Sequence, residues 1–258
     1  MLTQPAVFAL FLASAAGLST LLGAAVLCCS NAHNERMLSV ALGFAAGIML
    51  SVSFMDLYPN AEELFRKVYS DGRAVSFAVL SLIAGLLIAA LIDKFVPHDS
   101  FDPLTGEAPH KNLFRVGVVS MIAIGLHNFP EGIATFMAGY KNISLGFSIA
   151  LAISLHNIPE GIAVAMPIYY ATNNKKKAVF YTFLSGIAEP LGALAAFLIL
   201  RPFINDVVLG AVFAGVAGIM IYITIEELIP SSRQYGHDTA ALLATFAGIC
   251  LMPLSHAI

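Results

Sequence analysis

Long apolar runs alternate with short polar segments along the whole chain. A helix needs about 20 mostly apolar residues to cross a bilayer. We therefore expect an all-α polytopic membrane protein with one transmembrane domain, residues 1–258. The pattern predicts eight spans, at about 5–29, 38–58, 74–96, 115–139, 144–170, 178–200, 207–229 and 239–257. A longer connection, about 97–114, is rich in proline and predicts a loop.

The composition excludes a soluble protein of this size. Hydrophobic residues make up 59% of the chain and charged residues 11%, whereas soluble domains have about 25% charged residues. The net charge of −3 gives no reason to expect a nucleic-acid partner. Cys28, Cys29 and Cys250 lie in apolar runs, so they predict neither a disulfide framework nor a zinc ribbon.

Basic residues near the span ends predict the orientation. Eight Lys and Arg residues fall in the odd-numbered loops and five in the even-numbered loops, and the cluster 175–177 is the strongest part of this excess. Cytoplasmic loops carry the excess of Lys and Arg. We therefore expect odd loops in the cytoplasm, both termini outside, and residence in the cytoplasmic (inner) membrane.

An internal repeat relates the two ends of the chain. Residues 46–59 read AGIMLSVSFMDLYP and residues 217–230 read AGIMIYITIEELIP, so Asp56 aligns with Glu227. Weaker similarity links span one to span six and span three to span eight. Because spans one and six start on opposite sides, the repeat is inverted and predicts a 3+2+3 arrangement, a transporter pattern with a site at the midplane. Chance similarity between low-complexity apolar segments remains the alternative.

Spans four and five carry the same motif, HNFPEG at 127–132 and HNIPEG at 156–161. In each motif the histidine and the glutamate are four residues apart, so they share one helical face. The glycine that follows permits close helix approach. Each histidine is about twelve residues into its span, near the middle of the bilayer.

Three carboxylates at mid-span need an explanation. Glu131, Glu160 and Glu189 each cost about 2.5 to 3.5 kcal/mol at a helix centre, and no Lys or Arg lies at similar depth. They must be protonated, face water or bind a cation, and the imidazoles of His127 and His156 favour a cation. Mixed nitrogen and carboxylate ligands suit Zn²⁺, Fe²⁺, Mn²⁺, Co²⁺ and Cd²⁺. The amide oxygens of Asn128 and Asn157 can add to this set, and a bridging glutamate would allow a binuclear site.

Two other function classes compete with a metal transporter. A membrane metal sensor or receptor would bind the ion without moving it. An intramembrane metalloenzyme would need a His-Glu-x-x-His helix, which the chain lacks. The chain also lacks a GxxxxGK[ST] phosphate-binding loop, so we do not expect ATP hydrolysis to drive transport. We expect no cofactor, because the metal is the substrate.

These motifs resemble the ZIP family of metal transporters, most closely its bacterial zinc-uptake (ZupT-like) branch. The resemblance covers nearly the whole chain. It implies uptake into the cytoplasm through a site built from the His, Asn and Glu of both central helices, joined by the glutamate of span six. In this sequence the implied set is His127, Asn128, Glu131, His156, Asn157, Glu160 and Glu189.

The resemblance also implies a pathway beyond this set. Met49 would lie near the metal, Asp56 at the entrance, and Glu226 and Glu227 at the exit. The long loop has only His98 and His110, so we expect no strong metal site there. Small-residue faces suit either internal packing or a homodimer, and involve Gly43, Gly47, Gly210 and Gly218.

Overall fold

The computed structural model describes residues 4–28, 34–95, 110–200 and 205–255, and within these ranges the chain is helical apart from short turns and connections. We number the α-helices in chain order: α1 Gln4–Ala24, α2 Glu35–Val52, α3 Tyr58–Arg66, α4 Asp71–Phe95, α5 His110–Lys141, α6 Ile143–Thr172, α7 Lys175–Gly186, α8 Ala188–Ala195, α9 Asp206–Ile223, α10 Ile229–Arg233 and α11 Asp238–Ser255. Spans one, three, four, five and eight are α1, α4, α5, α6 and α11. Span two consists of α2 and α3, span six consists of α7 and α8, and span seven consists of α9 and α10.

The predicted all-α polytopic architecture is confirmed. Among the described residues, seven helices are long and apolar enough to cross a membrane, and the eighth is shorter, with an apolar stretch at Asp238–Leu251. Helix α5 begins at His110, inside the segment expected to be a loop. His98 lies outside the described residues, as does the side chain of His110.

Asparagine side chains start three of the spans. Asn34, Asn174 and Asn205 stand immediately before α2, α7 and α9, and each accepts a hydrogen bond from the backbone N–H three residues later, at 3.0 to 3.1 Å. A capping side chain of this kind satisfies one of the free N–H groups at a helix start. These caps place the span boundaries in the short polar connections.

The spans pack as two bundles. Spans one, four, five and six contact one another and form the motif bundle, which carries both HNxPEG motifs. Spans two, three, seven and eight form the flanking bundle. The bundles meet where span two contacts span five and span four contacts span seven. Their interface includes the apolar side chains of Met49, Ile124 and Val164.

Glycines bring helix backbones together inside each bundle. A Cβ placed on Gly47 would lie 2.0 Å from the carbonyl oxygen of Thr245 in span eight, and one on Gly218 would lie 2.1 Å from that of Leu82 in span three. Gly43 likewise faces span eight and Gly210 faces span two. The four small-residue positions considered for a homodimer therefore serve internal packing.

The inverted repeat is visible in local structure. One turn of π-helix interrupts span two at Ser53–Leu57 and span seven at Thr224–Leu228, which are repeat-equivalent positions. Ser53 donates to the carbonyl of Met49, and Thr224 donates to that of Met220, both at 2.7 Å. The same side-chain bond therefore accompanies the same helix irregularity in both halves.

Candidate metal centre

The described polar side chains of the two motifs are buried in the interior of the motif bundle. His127, Asn128 and Asn157 have no exposed surface, Glu160 is 1% exposed, and Glu131 is 6% exposed. Glu189, from span six, is fully buried as well. The side chain of His156 lies outside the part of the structure that is described, although its backbone belongs to α6.

His127 joins the two motif glutamates. Its Nε2 atom lies 3.1 Å from Oε1 of Glu131 on its own helix and 3.3 Å from Oε1 of Glu160 on span five. The first pair confirms that residues four apart share a face, and the second shows that the two motif faces meet. The imidazole nitrogen thus lies within hydrogen-bond distance of one carboxylate oxygen from span four and one from span five.

Each motif asparagine uses its amide nitrogen to hold a neighbouring helix. Asn157 Nδ2 donates to the carbonyl of Ala16 in span one at 2.9 Å, and to Oε2 of Glu189 at 2.9 Å. Asn128 Nδ2 donates to the carbonyl of Ser185 in span six at 3.2 Å. The amide oxygens of both side chains accept no hydrogen bond within the described residues.

The motif glycines make the close contacts that the sequence predicts. A Cβ on Gly132 would lie 1.8 Å from the carbonyl oxygen of Glu189, and one on Gly161 would lie 1.9 Å from that of Thr20. Positions 20 and 189 are repeat-equivalent, in line with Gly17 and Gly186. The close approach of span six to span four brings the Glu189 carboxylate beside the motifs, where it accepts the hydrogen bond from Asn157.

Several buried oxygens of this region accept no hydrogen bond within the described residues. They are Oδ1 of Asn128 and Asn157, Oε2 of Glu160 and Oε1 of Glu189. An unsatisfied buried acceptor costs about 1 to 3 kcal/mol, and a charged one costs more. A cation bound among these oxygens would remove that cost.

The described side chains do not surround an ion as they stand. No group of three or more His, Cys, Asp or Glu side chains in the described ranges is arranged to hold a metal. The side chain of His156, the second motif imidazole, lies outside the described residues.

The predicted pathway residues occupy different environments. Met49 is fully buried and belongs to the same apolar cluster as Ile124 and Val164. Ile124 lies one turn before the first motif, and Val164 lies one turn after the second. Asp56 is partly exposed and accepts a hydrogen bond from Asn60 at 3.3 Å. Glu226 is exposed, whereas Glu227 is buried.

Sequence reasoning missed the partners of Glu227. The Arg115 guanidinium donates to Glu227 and also to Asp93, and Tyr222 Oη donates to Asp93 Oδ2 at 3.3 Å. In the sequence, Arg115 counts only as one of the eight basic residues of the odd-numbered loops. The available signal was the acidic Asp93 near the end of span three and the basic Arg115 at the start of span four, which one loop connects.

Known proteins resemble the chain over nearly its full length. A family model described as ZIP Zinc transporter matches residues 2–112 and 103–255. The chain is 42% identical over 259 residues to the zinc transporter ZupT of Streptococcus mutans, with 96% of each chain covered. It is 43% identical to ZupT of Chlorobaculum parvum and 44% identical to ZupT of Chlorobium luteolum, each over 257 residues and 96% of both chains.

Proposed function

The chain belongs to the ZIP zinc transporter family and is a metal transporter rather than an enzyme, and from this premise we propose that it carries Zn²⁺ across the cytoplasmic (inner) membrane into the cytoplasm. Both termini lie on the outer side in this proposal, as the distribution of Lys and Arg favours. Fe²⁺, Mn²⁺, Co²⁺ and Cd²⁺ are further substrates, because the same ligand types suit them. The whole chain acts as one transmembrane unit.

The transport site in this proposal consists of His127, Asn128, Glu131, His156, Asn157, Glu160 and Glu189. The observation that supports it most directly is the set of buried oxygens from spans four, five and six that accept no hydrogen bond from any described residue. These helices belong to one bundle, so the site can move as a unit. Asp56 serves the entrance, Met49 lies near the ion, and Glu226 and Glu227 serve the exit.

Transport proceeds by alternating access, with the motif bundle moving against the flanking bundle. Two features favour this division. The close glycine contacts described above join helices of the same bundle, whereas apolar side chains meet between the bundles near the middle of the protein. Side-chain contacts of this kind permit sliding more readily than backbones locked at van der Waals distance. Two charges moving inward gain about 4.6 kcal/mol per 100 mV of membrane potential.

Reconstituted uptake tests the proposal. Proteoliposomes loaded with a zinc-sensitive dye are expected to show zinc influx that rises with an inside-negative potential. Glu160→Gln should reduce the influx by at least about 100-fold, since even partners outside a metal's ligand shell change affinity by up to that factor. Glu63→Gln is the matched control, because it removes an exposed carboxylate and should leave influx unchanged.

The alternative is a membrane metal sensor that binds zinc without transport. Zinc bound to the purified protein with Glu160-dependent affinity, but no influx at any potential, would establish the sensor and overturn the transporter. Competition among the five metals in the same liposomes then gives their order of preference.

A further inference from the structure

A cluster of buried charges lies away from the proposed transport site. The Arg115 guanidinium, near the start of span four, binds Asp93 near the end of span three and Glu227 in the π turn of span seven. Tyr222 adds a hydrogen bond to Asp93. All three charged side chains are at most 12% exposed. We call Arg115, Asp93 and Glu227 the interbundle ion cluster.

The interbundle ion cluster connects the two bundles. Arg115 belongs to the motif bundle, whereas Asp93 and Glu227 belong to the flanking bundle. A second polar contact joins the bundles at the same end, where Tyr170 Oη at the end of span five donates to the carbonyl of Asn34 before span two at 2.8 Å. By the distribution of Lys and Arg, this end faces the cytoplasm.

The chemistry of the cluster favours one relative position of the bundles. A guanidinium presents a rigid fork of donors that fits carboxylates in a fixed geometry. When a buried charge loses its partner, it remains uncompensated unless water reaches it, and this is strongly unfavourable. A displacement that separates Arg115 from both carboxylates therefore has to be a discrete step with a barrier, instead of a gradual slide.

The cluster is also separate from the transport site. Arg115 and His127 are twelve residues apart on the same helix, which corresponds to about 18 Å at 1.5 Å per residue. Arg115 is thus too far away to contact an ion at the motifs. Glu227, however, was predicted at the exit, so the pairing with Arg115 also determines whether that carboxylate is available.

We propose that Arg115 is a positioning residue of the transport cycle: the interbundle ion cluster holds the motif bundle at one end of its movement, and it opens and re-forms once for each ion carried. This inference rests on the proposed transport function. It assigns Arg115, Asp93 and Glu227 to the movement of the bundles and not to ion coordination at the motifs.

Reversible cross-linking tests the proposal. In a protein whose cysteines are replaced (Cys28→Ser, Cys29→Ser, Cys250→Ser), Asp93→Cys and Arg115→Cys are joined by a short bis-methanethiosulfonate reagent and later released with reductant. Cross-linking should lower zinc uptake by at least about tenfold, because it fixes the bundles as the buried ion pairs do. Reductant should restore uptake.

The control pair joins two helices of one bundle. Ser51 Oγ donates to the carbonyl of Ile249 at 3.1 Å, and spans two and eight both belong to the flanking bundle. The variant with Ser51→Cys and Ile249→Cys, cross-linked in the same way, should take up zinc at the same rate as its own reduced form. Equal uptake by the reduced and cross-linked 93–115 pair would overturn the proposal. Uptake by the protein in which only the three cysteines are replaced, with Asp93 and Arg115 intact, tests the transport function itself, so the two failures are distinguishable.

Kinetics of single variants provide a second test that does not depend on cross-linking. Arg115→Gln should lower the maximal uptake rate per folded molecule by about tenfold and leave KM for zinc within about twofold. Arg115→Lys keeps the charge and should restore at least about half of the rate, since lysine pairs as a point charge. A raised KM at unchanged maximal rate, or an unchanged rate per folded molecule, would exclude a role in the bundle movement.

Discussion

Span one packs against the second motif, and span six packs against the first, through the same two kinds of contact. In both pairs a motif glycine contacts a backbone carbonyl oxygen of the neighbouring span. The motif asparagine donates its amide hydrogen to another carbonyl of that same span, four residues before the first. The contacts are Gly161 to Thr20 and Asn157 to Ala16 in one pair, and Gly132 to Glu189 and Asn128 to Ser185 in the other.

The two pairs differ at one chemically decisive position. The residue whose carbonyl meets the motif glycine is Thr20 in span one and Glu189 in span six. The hydroxyl of Thr20 has no hydrogen-bond partner among the described residues, whereas the carboxylate of Glu189 accepts from Asn157. The shared contacts are therefore requirements of packing, and in our proposal the carboxylate at one of the two positions belongs to the transport site.

The largest effect is expected when the shared glycine contact is broken. Gly132→Ala and Gly161→Ala place a methyl group within 2 Å of a backbone oxygen, so each should destabilise the folded protein by more than about 2 kcal/mol. Thermal unfolding in detergent measures the change. Gly125→Ala is the control, because its nearest neighbours lie at 4.0 Å. Unchanged unfolding of both motif variants would show that the two contacts do not hold the bundle together.

The next effect tests the position that differs. Glu189→Thr makes the two pairs alike and removes a buried carboxylate, so zinc uptake in proteoliposomes should fall by at least about 100-fold. Thr20→Val is the control at the repeat-equivalent position. It replaces a hydroxyl that lacks a hydrogen-bond partner in the described residues and should leave uptake within about twofold. A larger loss with Thr20→Val than with Glu189→Thr would reverse the assignment.

The smallest effect separates the two asparagines. Leucine has nearly the shape of asparagine and neither donates nor carries a charge, so Asn157→Leu loses hydrogen bonds to Ala16 and Glu189 and should lower stability by about 2 to 3 kcal/mol. Asn128→Leu loses the bond to Ser185 and should lower stability by about 1 kcal/mol. Thermal unfolding gives both values. Equal losses would mean that the Glu189 contact adds nothing.

Much of this architecture was predictable because the membrane imposes it. Spans must be long and apolar, so the helices follow from hydropathy alone. The motif glycines were expected at close helix contacts, and Gly132 and Gly161 are found there. Since the histidine and the glutamate of each motif share a face, the approach of His127 to Glu131 was also predictable.

Other features depend on which helices become neighbours, and sequence spacing does not encode this. Arg115 and Glu227 are 112 residues apart, and nothing in either local sequence indicates that they pair. The anchoring role of the asparagines was missed for a related reason. Their amide nitrogens bind backbone carbonyls of spans one and six, and any residue type provides such a carbonyl.

The two halves of the repeat interlock, and this has a consequence for folding. Gly47 in the first half packs against span eight in the second, and Gly218 in the second half packs against span three in the first. Each half therefore covers a backbone surface of the other, so the first three spans complete their packing only when spans seven and eight are in place.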